Sequence, residues 1–446
     1  MRLGASASRS RLRSPKPVAV AALILGAMLA GVGRPVAAQA TTQTTRAPLL
    51  RTVGVGRDPV ALAVDERAGR VFVVGAAGEV SVLDAATGAV VRTIAVGRGA
   101  QAVAVDEATG RAFVADQARV YTFDARTSAV LRALPIGGGP TGGLAVDARH
   151  GEVFVAARGA PQPVNRGGGF GPGDFAVLDA TTGRLRRRIR QYGDPFAVDG
   201  TARRIMLPYA CGDDTTGFAD MCVDTLDAVT GRRLKTADLS SQQGYSQQPS
   251  ALAVDARAGS AIVFYGDGRG DANIGVVATR TGARRAAVVP AGGSSGVIAV
   301  DEAAARVAVV TTPDNYAIAT GYGPGSPPAA SVSVLDTRSG REVGGDTIPN
   351  ALGGESSPIG VAADAQRGRF YVLATPAVTG KVPSRTVLDV LDARTGKPLR
   401  HLALPRIVIE PDGSPGVAMA VDERTGRLFI ANGRDNTVSV LDTARL

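Results

Sequence analysis

The chain has 446 residues, 2 His, 2 Cys, no Trp and a formal net charge of +10. Two His exclude a His-rich copper cluster or a multi-His zinc site, and the two Cys are too far apart for a C-x-x-C-H haem motif. Residues 1–40 hold five Arg and one Lys, so only about +4 remains on residues 41–446, too little to argue for nucleic-acid binding.

In chain order, residues 1–40 read as a secretory signal peptide. Arg2, Arg9, Arg11, Arg13 and Lys16 form a basic start without acids, Val18–Val32 is an apolar run short for a membrane span, and Ala38–Ala40 is a small-residue cleavage site. The alternative is an uncleaved anchor. No Cys stands directly after the cleavage site, so a lipid anchor is not indicated, and no Arg-Arg pair within residues 1–40 marks a twin-arginine route. After cleavage no transmembrane span is expected. The protein is placed outside the cytoplasm: periplasmic, at the cell surface or extracellular.

From residue 41 onward the sequence repeats itself. "AVD" or a close relative ends at Asp65, Asp106, Asp147, Asp199, Asp255, Asp301, Asp364 and Asp422. A turn such as "ExxTGR" follows most of them, then a Val-, Phe- and Ile-rich run. A second run ends in Asp at Asp84, Asp124, Asp179, Asp227, Asp336, Asp392 and Asp442; the fifth copy departs from it with Val276–Gly282. A "TG" turn and an outer run complete the unit. Each unit is thus four short strands, a to d, in about 41 to 63 residues. Asp opens each turn because its carboxylate accepts backbone N–H bonds there, and Gly supplies a positive φ. Four-stranded antiparallel units at this period predict an all-β fold, a single β-propeller over residues 41–446. Eight anchors predict eight blades; irregularity in the fourth copy leaves seven as the alternative.

The eighth copy stops after strand c. Leu49–Gly56, "LLRTVGVG", stands alone before the first unit and matches strand d of the first copy, "VVRTIAVG". Residues 49–55 are therefore expected to supply the outer strand of the last blade and close the ring.

"RLFIANGRDNTVSVLDT" (Arg427–Thr443) resembles the YVTN-type β-propeller repeat of exported bacterial and archaeal proteins, with Phe429–Asn432 in the place of the Tyr-Val-Thr-Asn stretch. The resemblance covers nearly all of residues 49–446 and is strongest in copies 1, 2 and 8. It implies a propeller related to those of amine dehydrogenase heavy subunits, nitrous oxide reductase and lactonases. It also implies a binding or scaffolding role at the cell envelope, although a fold alone does not settle a function. The absence of Trp argues against a propeller with a tryptophan-docked quinone cofactor.

In such a meander the a–b and c–d turns share one face, and the b–c loops and d–a crossings share the other. Long b–c loops are expected at Ala157–Asp174, Tyr209–Cys222, Tyr265–Ile274, Thr311–Ala330 and Ala374–Thr386, in consecutive copies 3 to 7. Insertions on one face mark a binding face. Tyr192, Tyr209, Tyr245, Tyr265, Tyr316 and Tyr322 fall in or beside it, and Tyr suits peptides, glycans and partner proteins; the alternative is that each packs its own loop. Cys211 and Cys222 are expected to form a loop-closing disulfide. Asp267, Asp271 and Asn273, and the Asp213–Asp214–Asp220 stretch, offer oxygens that suit calcium, without EF-hand spacing; solvated loop carboxylates are the simpler reading. No firm cofactor is expected. "GGSSG" (Gly292–Gly296) lacks the strand-then-helix context of a nucleophile elbow. Arg269–Asp271 is too short a match to carry adhesion. The basic run Gly183–Arg190 protects an edge strand or offers a patch to an acidic partner. His150, in an a–b turn, and His401, in an outer strand, are not expected to meet.

These readings give a monomeric, non-catalytic binding propeller of the cell envelope, with an envelope protein, peptide or glycan as partner. The alternatives are a lactonase-like hydrolase, with calcium as an option, and a structural scaffold subunit.

Overall fold

The computed structural model describes residues 45–46, 48–136, 141–157, 173–191, 193, 195–211, 220–239, 248–266, 272–288, 295–312, 330–348, 356–376, 386–404 and 418–446. The leader, Tyr192, Tyr245, Tyr316, Tyr322, Asp213, Asp214, Asp267 and Asp271 lie outside them.

Blade 1 sets the pattern. Strands a (Pro59–Asp65), b (Arg70–Gly75), c (Glu79–Asp84) and d (Val90–Ala95) pair antiparallel with their neighbours in chain order. The turns are chemically specified. At the a–b turn Asp65 Oδ1 accepts the Ala68 N–H at 2.7 Å. At the c–d turn Asp84 Oδ1 accepts both the N–H and the hydroxyl of Thr87 at 2.9 Å, and Gly88 follows at φ +68°, a conformation that favours glycine. The same turn recurs on Asp124, Asp179, Asp227, Asp336 and Asp392. Blade 5 makes it without the Asp: Ala278 stands there, and the Gly282 N–H still reaches the Ala278 carbonyl at 2.8 Å.

Eight such sheets are present. The inner strands of successive blades touch one another around the circle, and Met419–Asp422 of blade 8 returns to Pro59–Asp65 of blade 1. Strands b and c are buried almost end to end, because both sheet faces lie against neighbouring blades. Eight apolar clusters form among the described residues, one at each blade–blade junction. At the junction of blades 3 and 4, for example, Phe154, Phe175 and Ile189 meet Ile205, Leu207 and Leu226.

The ring closes as the orphan strand foretold. Leu49–Gly54 pairs antiparallel with strand c of blade 8 (Thr437–Asp442), Thr52 opposite Ser439 and Gly54 opposite Thr437. Just before it, Thr45–Arg46 pairs in parallel with strand d of blade 7 (Pro398–Leu404), Thr45 opposite Leu402. This fifth strand had no signal in the repeat pattern. One segment therefore joins the outer edges of blades 7 and 8.

Two expected loops are shorter than read. Strand b of blade 4 extends to Cys211 and strand c starts at Asp220, because the ladder continues through Tyr209 opposite Cys222 and Cys211 opposite Asp220. In blade 5 the ladder reaches Gly266 and resumes at Ala272, with Tyr265 opposite Asn273. Among the described residues no helix is long and apolar enough to cross a membrane.

Candidate interaction face

The two ends of the ring are built differently. On the a–b and c–d end, carboxylates lock blades together. The Asp closing each inner strand is buried, as at Asp65, Asp106, Asp147, Asp199, Asp255, Asp301, Asp364 and Asp422. In four blades a Glu follows it and reaches the previous blade. Glu107 accepts the Glu66 N–H at 2.8 Å, Glu66 accepts the Glu423 N–H at 2.6 Å, and Glu423 accepts the Ala365 N–H at 2.7 Å. Glu302 does the same for Ala256 at 3.2 Å. Burial raises the carboxyls of Asp65, Glu66 and Glu302 above their ordinary range. Each of these Glu carboxylates has one oxygen, Oε1, engaged as a blade-to-blade latch.

The other end carries the b–c connections. In blades 1, 2 and 8 these span only 76–78, 116–118 and 433–436, and side chains tie them tightly. Asp116 Oδ1 accepts the N–H groups of Ala118 and Arg119 at 2.7 and 2.6 Å, and Tyr121 donates to its other oxygen at 3.1 Å. Asn432 donates to Thr437 Oγ1 at 2.8 Å and Ser439 Oγ at 3.0 Å. In blades 3 to 7 the connections span 158–173, 212–219, 267–271, 313–329 and 377–385.

Two of the six Tyr fall on described residues. Tyr209 is half-buried at the outer end of strand b of blade 4, its hydroxyl 3.5 Å from Asp224 Oδ1. Tyr265 is corrected. It has no exposed surface, its hydroxyl donates to the Leu239 carbonyl at 2.7 Å, and burial pushes its pKa up to about 12. It fills the junction of blades 4 and 5 and offers a partner nothing. Asn273, read in the sequence as part of a loop, lies inside strand c of blade 5 and is 2% exposed; Asp267 and Asp271, which would share a cation with it, lie outside the described residues.

The disulfide is formed. Cys211 and Cys222 are bonded with Cα atoms 5.7 Å apart, and they cross-link strands b and c beneath the 212–219 loop. The basic run is largely neutralised. Arg187 pairs with Glu152, Arg186 with Asp179 at 2.6 Å, and Arg188 with Asp174 at 2.8 Å, while Arg187 also donates to the Val229 carbonyl of blade 4. These arginines stitch blade 3 to its neighbours, which argues against the acidic-partner patch.

The two histidines have separate partners. His150 meets Asp147 at 2.8 Å. His401 lies between Asp389 and Asp346, a cluster that the sequence reading missed because the three residues come from three strands of two blades.

Ring order, closure and the two unlike ends define an eight-bladed β-propeller. Solved structures similar to it include the computationally designed Ika8 protein (17% identity, TM-score 0.55, covering 90% of this chain and 99% of that one). BamB from Moraxella catarrhalis (13%, 0.51, 89% and 99%) and the C-terminal WD40 domain of Sif2 (8%, 0.59, 90% and 99%) are also similar. At these identities the likeness is one of fold. No protein-family model matches the chain, and no curated protein matches it in sequence.

Proposed function

We propose that the protein is an exported, non-catalytic interaction propeller of YVTN-repeat type, which recognises an envelope protein, peptide or glycan through the b–c loops of blades 3 to 7. The carrying observation is the asymmetry of the ring. Its strands and turns repeat with little change, whereas the b–c connections run from five residues (267–271) to seventeen (313–329) in the consecutive blades 3 to 7, against three or four in blades 1, 2 and 8. Loops on a rigid scaffold are where binding residues concentrate. The Cys211–Cys222 bond supports an oxidising compartment, and the basic and apolar run of residues 1–40 supports export. Asn432, tying strand b to strand c, supports the YVTN-type reading of that repeat.

Tyr209, Tyr192, Tyr245, Tyr316 and Tyr322 remain the contact candidates, because Tyr pairs apolar area with a polar tip. The test grafts the short blade 1 connection (76–78) in place of loops 158–173 and 377–385. The graft should fold with an unchanged circular-dichroism spectrum and lose retention of envelope-fraction ligands on immobilised protein. Equal retention by graft and wild type would overturn the assignment.

A further inference from the structure

Blade 6 has an outer strand (Glu342–Ile348) unlike the others: Gly344 and Gly345 precede Asp346. A Cβ at Gly344 would lie 2.2 Å from the Thr395 carbonyl oxygen of blade 7, so only glycine admits this approach. The contact sets Asp346 beside blade 7, where strand c carries Asp389 and strand d carries His401 directly opposite it. Suitable ligand atoms of the three residues lie within 4.8 Å of one another.

The geometry is directional. His401 Nδ1 is 2.6 Å from Asp389 Oδ1, so Nδ1–H donates to the carboxylate and Nε2 is left on the side away from it. Nε2 faces Asp346 Oδ2 at 3.8 Å. That gap is too long for a hydrogen bond; zinc bonds of about 2.0–2.2 Å on each side span it at an angle of about 130°, wider than tetrahedral, so the two side chains would draw slightly together around an ion. A carboxylate behind a metal-binding imidazole is the usual support for such a ligand.

The repeat supplies an internal control. Asp224 holds the same position in blade 4 as Asp389 in blade 7. There Thr236 stands opposite at 2.6 Å, and Arg233 meets the second oxygen at 3.4 Å, so both oxygens are engaged. Among the described residues no arginine meets Asp389, whose partner is His401. The Asp389 side chain is 1% exposed and its Oδ2 is buried without a hydrogen-bond partner. His401 and Asp346 side chains are each 20% exposed, so the cluster lies at the edge of solvent, although Asp346 Oδ2 itself is buried.

We propose that His401 Nε2 and Asp346, with Asp389 orienting the imidazole, bind one zinc-class divalent cation that staples blade 6 to blade 7. The nitrogen ligand separates this site from the calcium loops read in the sequence, since calcium takes only oxygens.

The test uses tag-free full-length protein, stripped with chelator and titrated with zinc chloride by calorimetry. Wild type should bind one ion per chain. His401→Gln should lose that binding, Asp346→Asn should weaken it at least about tenfold, and Asp389→Asn should weaken it about 10–100-fold. His150→Gln, which changes the only other histidine, should bind as wild type does. Circular dichroism confirms that each variant is folded, and an unfolded Asp389 variant leaves the two partly exposed positions to decide. Absence of one-to-one binding in wild type, or unchanged binding in His401→Gln, overturns the site.

Discussion

Asp179 illustrates how one repeated residue sets acid stability. Burial opposes its ionisation, but the hydroxyl and N–H of Thr182 and the Arg186 guanidinium outweigh that, holding its carboxyl down at about 2. Asp84, Asp124, Asp227, Asp336 and Asp392 are displaced in the same direction. A depressed carboxyl stabilises the fold above its unfolded value, near 3.9, and loses that contribution as pH falls through the folded value. Urea midpoints measured from pH 5 to pH 2 should therefore drop most between about 4 and 2, and Asp179→Asn should flatten that drop while lowering the midpoint at pH 7. At Tyr265 the structure reverses the reading from sequence. Removing its buried hydroxyl, Tyr265→Phe, should cost about 1 kcal/mol in chemical denaturation and leave partner retention unchanged. The Tyr was legible as a residue near a loop. That the ladder runs one residue past it was not, because a strand end is decided by pairing across the hairpin, not by the residue itself.

At the level of elements, Leu49–Gly54 was the most legible piece of the fold. Its match to Val90–Gly97 identified a strand d without its own blade, and the eighth copy lacked one. Thr45–Arg46 was not legible, since two residues carry no periodicity and a parallel pairing to blade 7 leaves no mark on the repeat. Deleting residues 41–56 should lower the thermal midpoint of the whole ring, as followed by calorimetry, because it exposes the Val438 and Val440 side of blade 8 and removes both edge pairings. Survival of the truncated chain with the full-length midpoint would contradict this. The Cys211–Cys222 bond closes a short loop, and chain-entropy reasoning gives about 2–3 kcal/mol for it. The double Ser variant should show that loss in urea, and reductant should produce the same loss in wild type.

For the whole molecule, the recurring Asp- and Gly-marked turns made the eight-blade ring readable, because each turn specifies its hairpin locally, and eight a–b hairpins with seven c–d hairpins leave few other architectures. The proposed recognition face was readable only as loop length. Its chemistry lies in segments that do not repeat, and the Asp346–Asp389–His401 cluster lies in pairing between blades, which no linear pattern encodes. The central claim, that one end of the ring is a constant frame and the other the recognition face, is tested most directly by cross-linking the protein in its native envelope fraction and mapping the linked peptides by mass spectrometry. Links to partners should concentrate at 158–173, 212–219, 267–271, 313–329 and 377–385. Links concentrated on the a–b and c–d turns, at positions such as Arg67, Arg126 or Arg338, would contradict it.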